Sequence, residues 1–254
     1  MEIIRKGPYI MESKKAYLFV TCLVDNFFPQ VAESAVCVLR RLGIEVEFVE
    51  GQTCCGQPAF NSGFWQDART VAKRFLSVFD REKDGFIVCP SGSCASMVRI
   101  FYRELFEEGD KEYGSAVNIS KRVYEFSEYI VNVLKETDVG AFYKGRVAYH
   151  GSCHLIRELG IREEPIRLIR SVRGIDFVEM KNYDVCCGFG GTFSVKFPEL
   201  SAAIVEDKIQ SIVESGADTL VSTDMGCLMH IGGIISRRNL PIRVMHIAEL
   251  LASR

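Results

Sequence analysis

The chain of 254 residues carries a formal net charge of −2, and 48% of its residues are hydrophobic. This balance excludes the basic surface typical of nucleic-acid binding, and no apolar run approaches the roughly 20 residues of a transmembrane helix. Charges occupy residues 1–20 where a signal peptide needs an apolar core, so we expect a cytoplasmic protein with no nucleic-acid partner and no membrane span. Ten cysteines in such a chain favour metal or redox chemistry over disulfide bonds.

The first half is predicted to alternate strands and helices. Strands are predicted over residues 16–21, 44–49 and 86–88, and helices over residues 29–42, 64–79 and from Ala95 onward. Pro29 suits the first turn of a helix, and Gly43 suits its C-terminal cap. Residues 107–118 are predicted to form a surface insertion that the second half lacks.

The second half is predicted to repeat this order after a linker over residues 137–144. The predicted strands cover residues 146–150, 175–178 and 219–222. The predicted helices cover residues 163–172 and 198–215 and the stretch after Cys227.

The cysteines indicate that this order arose by tandem duplication. Cys22 and Cys153 are 131 residues apart, Cys54 and Cys186 are 132 apart, and Cys94 and Cys227 are 133 apart. A glycine follows each Cys-Cys pair. A nearly constant offset is the signature of an internal repeat, so we predict two halves, residues 1–140 and residues 141–254.

Strands that alternate with helices at this spacing favour an α/β fold. We predict two tandem, duplicated βαβ-type halves with mainly parallel sheets, related by a pseudo-two-fold axis. In such sheets ligands bind beyond the carboxyl ends of the strands, and the cysteines lie in the predicted loops that leave those ends. Thiols that are far apart in sequence are therefore expected to converge.

Each half supplies four thiols in matching positions. Four thiolates can hold a [4Fe–4S] cluster, and they can also hold a zinc ion at one or both sites. The predicted metal ligands are Cys22, Cys54, Cys55 and Cys94 in the first half and Cys153, Cys186, Cys187 and Cys227 in the second.

Small and polar residues beside these thiols are predicted to bind the cofactor. Glycine lets a backbone N–H approach a cluster and donate to its sulfides. The predicted cofactor-binding glycines are Gly56, Gly92, Gly188, Gly190 and Gly191. His150 and His154 flank Cys153. They either donate hydrogen bonds to cluster sulfur and relay protons, or they are hydrogen-bonded histidines packed at a strand end. His154 is included among the predicted cofactor-binding residues.

The remaining cysteines and polar residues receive other interpretations. Cys37 lies among apolar neighbours in a predicted helix and is expected in the core, whereas Cys89 is a ligand, a redox thiol or a core residue. His230 presents the same choice as His150, and His246 is expected to be structural. Asp224 is expected to be a helix N-cap rather than an oxygen ligand.

The sequence offers no site for a nucleotide or flavin. The loop over residues 186–196, CCGFGGTFSVK, lacks the Gly-Lys-Ser/Thr ending of a phosphate loop, and no G-x-G-x-x-G follows a strand. The chain is therefore interpreted as an electron carrier or cluster-bearing subunit rather than a complete dehydrogenase.

Several long motifs resemble a known family. LFVTCLVD (18–25), CCGQPAFNSG (54–63), PSGSC (90–94), CCGFGGTFSVK (186–196), GCLMHIGG (226–233) and VMHIAELL (244–251) are similar to the lactate utilization protein A family, and the similarity covers nearly the whole chain. This family is related to the CCG-containing subunit of heterodisulfide reductase and to the iron–sulfur subunits of glycolate and anaerobic glycerol-3-phosphate dehydrogenases. The resemblance implies L-lactate oxidation to pyruvate with two partner proteins, one of them a ferredoxin-type iron–sulfur subunit, and a small 2-hydroxy acid as the substrate of the complex.

One position departs from the related pattern. The resemblance to heterodisulfide reductase implies a final Cys-x-x-Cys whose first thiol helps to hold a noncubane cluster, but this chain has Ser91 and Asp224 there. A four-thiolate site is therefore the simpler expectation, and the cluster type stays open. Two alternatives are a zinc-stapled assembly module and a heterodisulfide-reductase-like thiol/disulfide redox subunit.

Overall fold

A computed structural model describes residues 15–82 and 84–254 of the protein. Residues 1–14, which carry most of the N-terminal charge used for the expectation about secretion, lie outside the described residues. The predicted α/β class is confirmed, because the described residues form two four-stranded sheets in which every strand pairing is parallel. No helix among the described residues is long and apolar enough to cross a membrane.

The two sheets have the same topology. The first has the order β2-β1-β3-β4 and the second the order β6-β5-β7-β8. The first-sheet strands are β1 (Lys15–Leu18), β2 (Glu45–Phe48), β3 (Phe86–Cys89) and β4 (Val123–Glu125), and the second-sheet strands are β5 (Phe142–His150), β6 (Arg173–Phe177), β7 (Thr219–Ser222) and β8 (Arg243–His246). The repeated order agrees with the predicted duplication, although the exact boundary at residue 140 stays a prediction.

Helices connect these strands and cover both faces of the sheets. In the first half they are α1 (Cys22–Phe27), α2 (Pro29–Arg41), α3 (Gln57–Asn61), α4 (Trp65–Phe79), α5 (Gly92–Ser96), α6 (Tyr102–Leu105), α7 (Tyr113–Ser120) and α8 (Phe126–Glu128). In the second half they are α9 (Glu163–Ser171), α10 (Phe193–Lys196), α11 (Pro198–Ser215), α12 (Met225–Arg237) and α13 (Ile247–Ala252). In the described part of the chain, π-helical turns cover Met97–Phe101, Tyr129–Val133 and His154–Glu158.

The structure changes the interpretation of the insertion in the first half. Helix α7 begins within it and completely buries Ala116, together with Ile119 directly after it, and both join the apolar cluster on the outer face of the first sheet. The insertion is therefore part of the packing of the first half and not only a surface excursion.

One apolar core joins the halves. Successive residues of a strand point to opposite faces. Ala16 and Leu18 of β1 belong to a core that also contains Leu220 and Leu251 of the second half, whereas Tyr17 of the same strand packs on the outer side. Helix α13 packs on α2. The two sheets therefore fold around a shared interior.

The strand order positions the functional loops. In each sheet the first strand lies between the second and the third, so the chain turns to opposite sides after it. A crevice forms beyond the carboxyl ends of strands at such a switch point, and this is where open α/β sheets bind ligands. Cys22 follows β1 and Cys94 follows β3, the two strands at the switch point of the first sheet.

Candidate metal centre

All eight predicted ligand thiols line one cavity of about 180 Å³ between the halves. The convergence predicted from the loop positions is therefore confirmed, and it extends further than expected because both sets of four thiols open onto the same space. Gln57, Ser93, His154 and Phe189 also line it. Among the cysteines of the described residues, only Cys37 and Cys89 lie outside this lining.

The four thiols of the first half form a connected chain. Cys54 contacts Cys22 and Cys55, and Cys55 contacts Cys94. The pKa of the Cys54 thiol is lowered to about 3 because the thiols of Cys22 and Cys55 donate to its sulfur, and the N–H of Gly56 donates to it as well at 3.4 Å. Acceptance by Cys54 in turn raises the pKa of the Cys22 thiol. Cys54 is thus the thiol of this group that ionises most readily, and the thiolate is the form that binds metal.

The second half repeats this arrangement. Donation from Cys153 and Cys187 lowers the pKa of the Cys186 thiol to about 2, and the N–H of Gly188 donates to the Cys186 sulfur at 3.3 Å. Cys187 also contacts Cys227. Two equivalent thiolate positions, one in each half, follow from the duplicated Cys-Cys-Gly turn.

The glycine of this turn is required by the backbone. Gly56 and Gly188 both have φ of +85°, in the left-handed region that residues with a side chain rarely adopt. A Cβ at Gly188 would lie 2.7 Å from the carbonyl oxygen of Ser201 on α11, and one at Gly56 would lie 3.3 Å from that of Ala68 on α4. The turn therefore packs directly on the following helix while its N–H points to sulfur.

The other three predicted glycines have different positions. Gly190 and Gly191 line the cavity with φ of +53° and +63°. Gly92 is buried at the start of α5, where an added Cβ would lie 2.9 Å from the Cβ of Leu155. Gly92 thus allows the first half to pack closely on the π-helical turn that follows Cys153 in the second.

Ser91 and Asp224, which replace the related cysteines, meet across the halves. Each is a helix N-cap: Ser91 Oγ accepts from the N–H of Cys94 at 3.3 Å, and Asp224 Oδ1 accepts from that of Gly226 at 3.1 Å. The predicted capping role of Asp224 is confirmed. Its Oδ2 also accepts from the N–H of Ser93 at 2.9 Å and from Ser91 Oγ at 3.3 Å. The side-chain oxygens of Ser91 and Asp224 therefore connect the two halves by hydrogen bonds in the lining of the cavity.

His150 is the main site residue whose role the sequence left undecided. It is fully buried at the end of β5, and its ring nitrogen and the sulfurs of Cys187 and Cys227 lie within 4.8 Å of one another. Burial lowers its pKa to about 3, with a smaller contribution from the nearby charge of Lys208, so the imidazole is neutral. A comparison of the two halves could have indicated this residue, because the equivalent position of the first half, 131 residues earlier, holds the apolar Phe19.

The remaining histidines have separate roles. His154 lines the cavity with its Nδ1 3.6 Å from the sulfur of Cys153, as expected for a residue near the site. His230 Nε2 lies 3.2 Å from Ser201 Oγ. His246 caps α13 by accepting from the N–H of Ala248 at 3.1 Å, so its predicted structural role is confirmed.

The prediction for Cys37 is wrong. Its side chain is exposed, because the buried stripe of α2 runs through Val31, Ala35, Val38 and Leu39, and position 37 faces away from it. Cys89 is fully buried at the end of β3, where its thiol donates to the carbonyl of Ser91 at 3.5 Å.

Comparison with known proteins identifies relatives over most of the chain. The sequence profile of the CCG cysteine-rich domain matches residues 16–99 and 147–232, one match in each half. Lactate utilization protein A 2 of Bacillus cereus is 47% identical over 238 residues, which cover 94% of this chain and 98% of that protein. Lactate utilization protein A of a Geobacillus species is 47% identical over 94% of this chain and the whole of that protein. Among solved structures, the match to glutamate racemase RacE1 of Bacillus anthracis covers 95% of this chain and 79% of that one, at 12% identity and a TM-score of 0.36.

Proposed function

The chain belongs to the lactate utilization protein A family, and on this premise we propose that it is the iron–sulfur subunit of a complex that oxidises L-lactate to pyruvate. Its role would be electron transfer between cofactors held by the two CCG motifs and its partner proteins. The names of the relatives support a role in lactate utilization, and the cysteine-rich domains support metal binding.

The observation that carries this proposal is the convergence of eight thiols on one cavity. Two sets of four cysteines lie at equivalent positions of duplicated sheets and open onto the same space. Electron transfer between two centres requires that they lie close together, and a shared cavity meets this requirement. Stability alone would not require the two sets to face each other.

The residues of each half fit an iron–sulfur cluster. Iron–sulfur clusters are held by cysteine thiolates, and hydrogen bonds to their sulfurs help to set the reduction potential. The Cys-Cys-Gly turns supply readily ionised thiols at Cys54 and Cys186 and backbone N–H groups aimed at sulfur. The ligands would be the eight cavity thiols, and a bound cluster would supply one-electron redox chemistry.

The chain's own residues would hold and shield such cofactors. Cys55, Cys94, Cys187 and Cys227 are buried, so water has limited access to the inner side of each site. The contact of Asp224 with Ser93 keeps the halves, and hence the two sets of thiols, in fixed register. We propose that a ferredoxin-type iron–sulfur subunit exchanges electrons with these sites, and that the 2-hydroxy acid is oxidised within the complex.

Growth on L-lactate tests this function. Deletion of the gene should abolish growth of the source organism on L-lactate while growth on glucose continues. The wild-type gene should restore growth, and a gene carrying both Cys55→Ser and Cys187→Ser should not. Unimpaired growth of the deletion strain, or full restoration by the double variant, would contradict the proposal.

A second function is favoured by one observation. The grouping of His150, Cys187 and Cys227 is a donor set that also suits zinc, which would make the protein a stapled assembly module. In that case purified protein would contain zinc without acid-labile sulfide, and it would show no band that dithionite bleaches.

A further inference from the structure

The two halves differ in one buried pair of side chains beside the thiols. In the first half Phe19 packs edge-on against Phe75, with ring centroids 4.8 Å apart. The residues 131 and 133 positions later are His150 and Lys208. Both are buried, at 0% and 1% exposure. An aromatic contact in one half is thus replaced by a nitrogen base and an amine in the other.

The imidazole of His150 lacks the hydrogen bonds that a buried histidine normally makes. Neither ring nitrogen makes a hydrogen bond of ordinary geometry among the described residues, although the backbone of Tyr183 lies against the ring. Buried polar groups are nearly always paired, because a group that loses its hydration without gaining a partner destabilises the fold. The unpaired nitrogens therefore point to a ligand.

The thiols nearest to His150 are positioned for the same ligand. A ring nitrogen of His150 and the sulfurs of Cys187 and Cys227 lie within 4.8 Å of one another. Donors on a single zinc ion lie roughly 3.3 to 3.8 Å apart, given metal–nitrogen bonds of about 2.0 Å and metal–sulfur bonds of about 2.3 Å. The three side chains are therefore close enough to belong to one metal centre.

Lys208 supports this arrangement from the next helix. Its amine donates to the carbonyl of Asn182 and is close enough to Cys187 and Cys227 for their charges to interact. A cation at this distance offsets part of the negative charge that thiolates bring to a buried site. The first half has the ring of Phe75 instead, and no positive charge at that position.

We propose that the two metal sites are chemically different, and that His150 is a nitrogen ligand of the second site alone, beside Cys187 and Cys227. The site of the first half takes sulfur ligands, since Phe19 offers no donor. This inference rests on the proposed function for the presence of metal. In an iron–sulfur cluster His150 would take the place of one of the four thiolates of the second half, and histidine in place of a thiolate raises the reduction potential, so the second site would be reduced first.

Nitrogen hyperfine spectroscopy tests the ligand directly. Protein purified without oxygen from cells fed ¹⁵N-histidine is partly reduced and examined by electron–nuclear double resonance. We expect a coupling of the strength of a metal-bound imidazole, lost in His150→Phe and retained in His154→Phe, the control beside Cys153. His150→Phe gives the second half the residue that the first half already has. If it does not fold, His150→Gln replaces it.

The possible results separate this inference from the proposed function. Iron and sulfide without a nitrogen coupling, or a coupling that persists in the His150 variants, overturns the inference and leaves the proposed function standing. Absence of any metal overturns both. If the metal is zinc, X-ray absorption should show nitrogen in the average zinc shell of the wild type and only sulfur in His150→Phe; sulfur alone in the wild type overturns the inference.

Discussion

The Cys-Cys-Gly turn of the second half makes a quantitative prediction about stability. Alanine at Gly188 would keep φ near +85° and bring its Cβ to 2.7 Å from the Ser201 carbonyl oxygen. Gly43, at the end of α2, is the matched control: its φ is +78°, and an added Cβ meets nothing within 4 Å among the described residues. The two substitutions share the backbone cost and differ in the steric one.

The expected magnitudes follow from these two costs. The left-handed conformation costs a residue with a side chain about 1 to 2 kcal/mol, which is the whole effect expected for Gly43→Ala. Forcing an extra atom into a packed contact costs about 1 to 3 kcal/mol more. The Gly188→Ala protein should therefore be less stable than the Gly43→Ala protein by that amount. At roughly 2 to 4 °C per kcal/mol for a chain of this size, the midpoints should differ by about 2 to 12 °C.

Differential scanning calorimetry of the metal-containing proteins provides the assay, together with metal analysis. Gly188→Ala should also lose metal from one site, because the strained turn withdraws its N–H from Cys186. Gly43→Ala should keep the wild-type metal content. Equal midpoints and equal metal contents in the two variants would refute the explanation of the glycine.

Three further predictions follow from the site and its surroundings. Cys55→Ser and Cys187→Ser should each remove about half of the bound metal while the exposed Cys37→Ser removes none; loss of all metal from either would show that the halves do not bind independently. Asp224→Asn keeps an acceptor for Gly226 but takes the charge from the contact with Ser93, so urea unfolding should show a loss of about 1 to 2 kcal/mol; an unchanged midpoint would rule out a stabilising bridge. Burial raises the pKa of the Glu125 carboxyl from 4.5 to about 8, so this group binds its proton more tightly in the folded protein than in the unfolded chain. The free energy of unfolding should therefore fall as the pH rises from 4.5 to 8, by up to about 1.4 kcal/mol per pH unit. Glu125→Gln should flatten that slope in unfolding measured from pH 4.5 to 9, and an unaltered slope would show that another group causes it.

The sequence predicted the repeated elements because the signals there are local. Helix α11 and strand β7 have the predicted bounds, since Pro198 and Gly216 mark the ends of the helix and a short apolar run forms the strand. Strands β4 and β8 were not predicted. They have three and four residues and run directly into helices α8 and α13, so neither shows a period long enough to detect.

The predicted ligand thiols were found from spacing, but their shared cavity was not. A constant offset identifies equivalent residues and contains no information about how two halves face each other. The contact of Ser91 with Asp224 depends on that arrangement and therefore required the structure. His150 was missed as a principal site residue for another reason: its importance depends on its closeness to Cys187 and Cys227, which sequence does not report.

Metal and sulfide analysis tests the central claim, that each half holds an iron–sulfur cluster at the shared cavity. Protein purified without oxygen is assayed for iron, zinc and acid-labile sulfide per chain. Two [4Fe–4S] clusters would give about eight iron atoms and eight sulfides, with a visible band that dithionite bleaches. About two zinc ions without sulfide, or no metal at all, would contradict the claim.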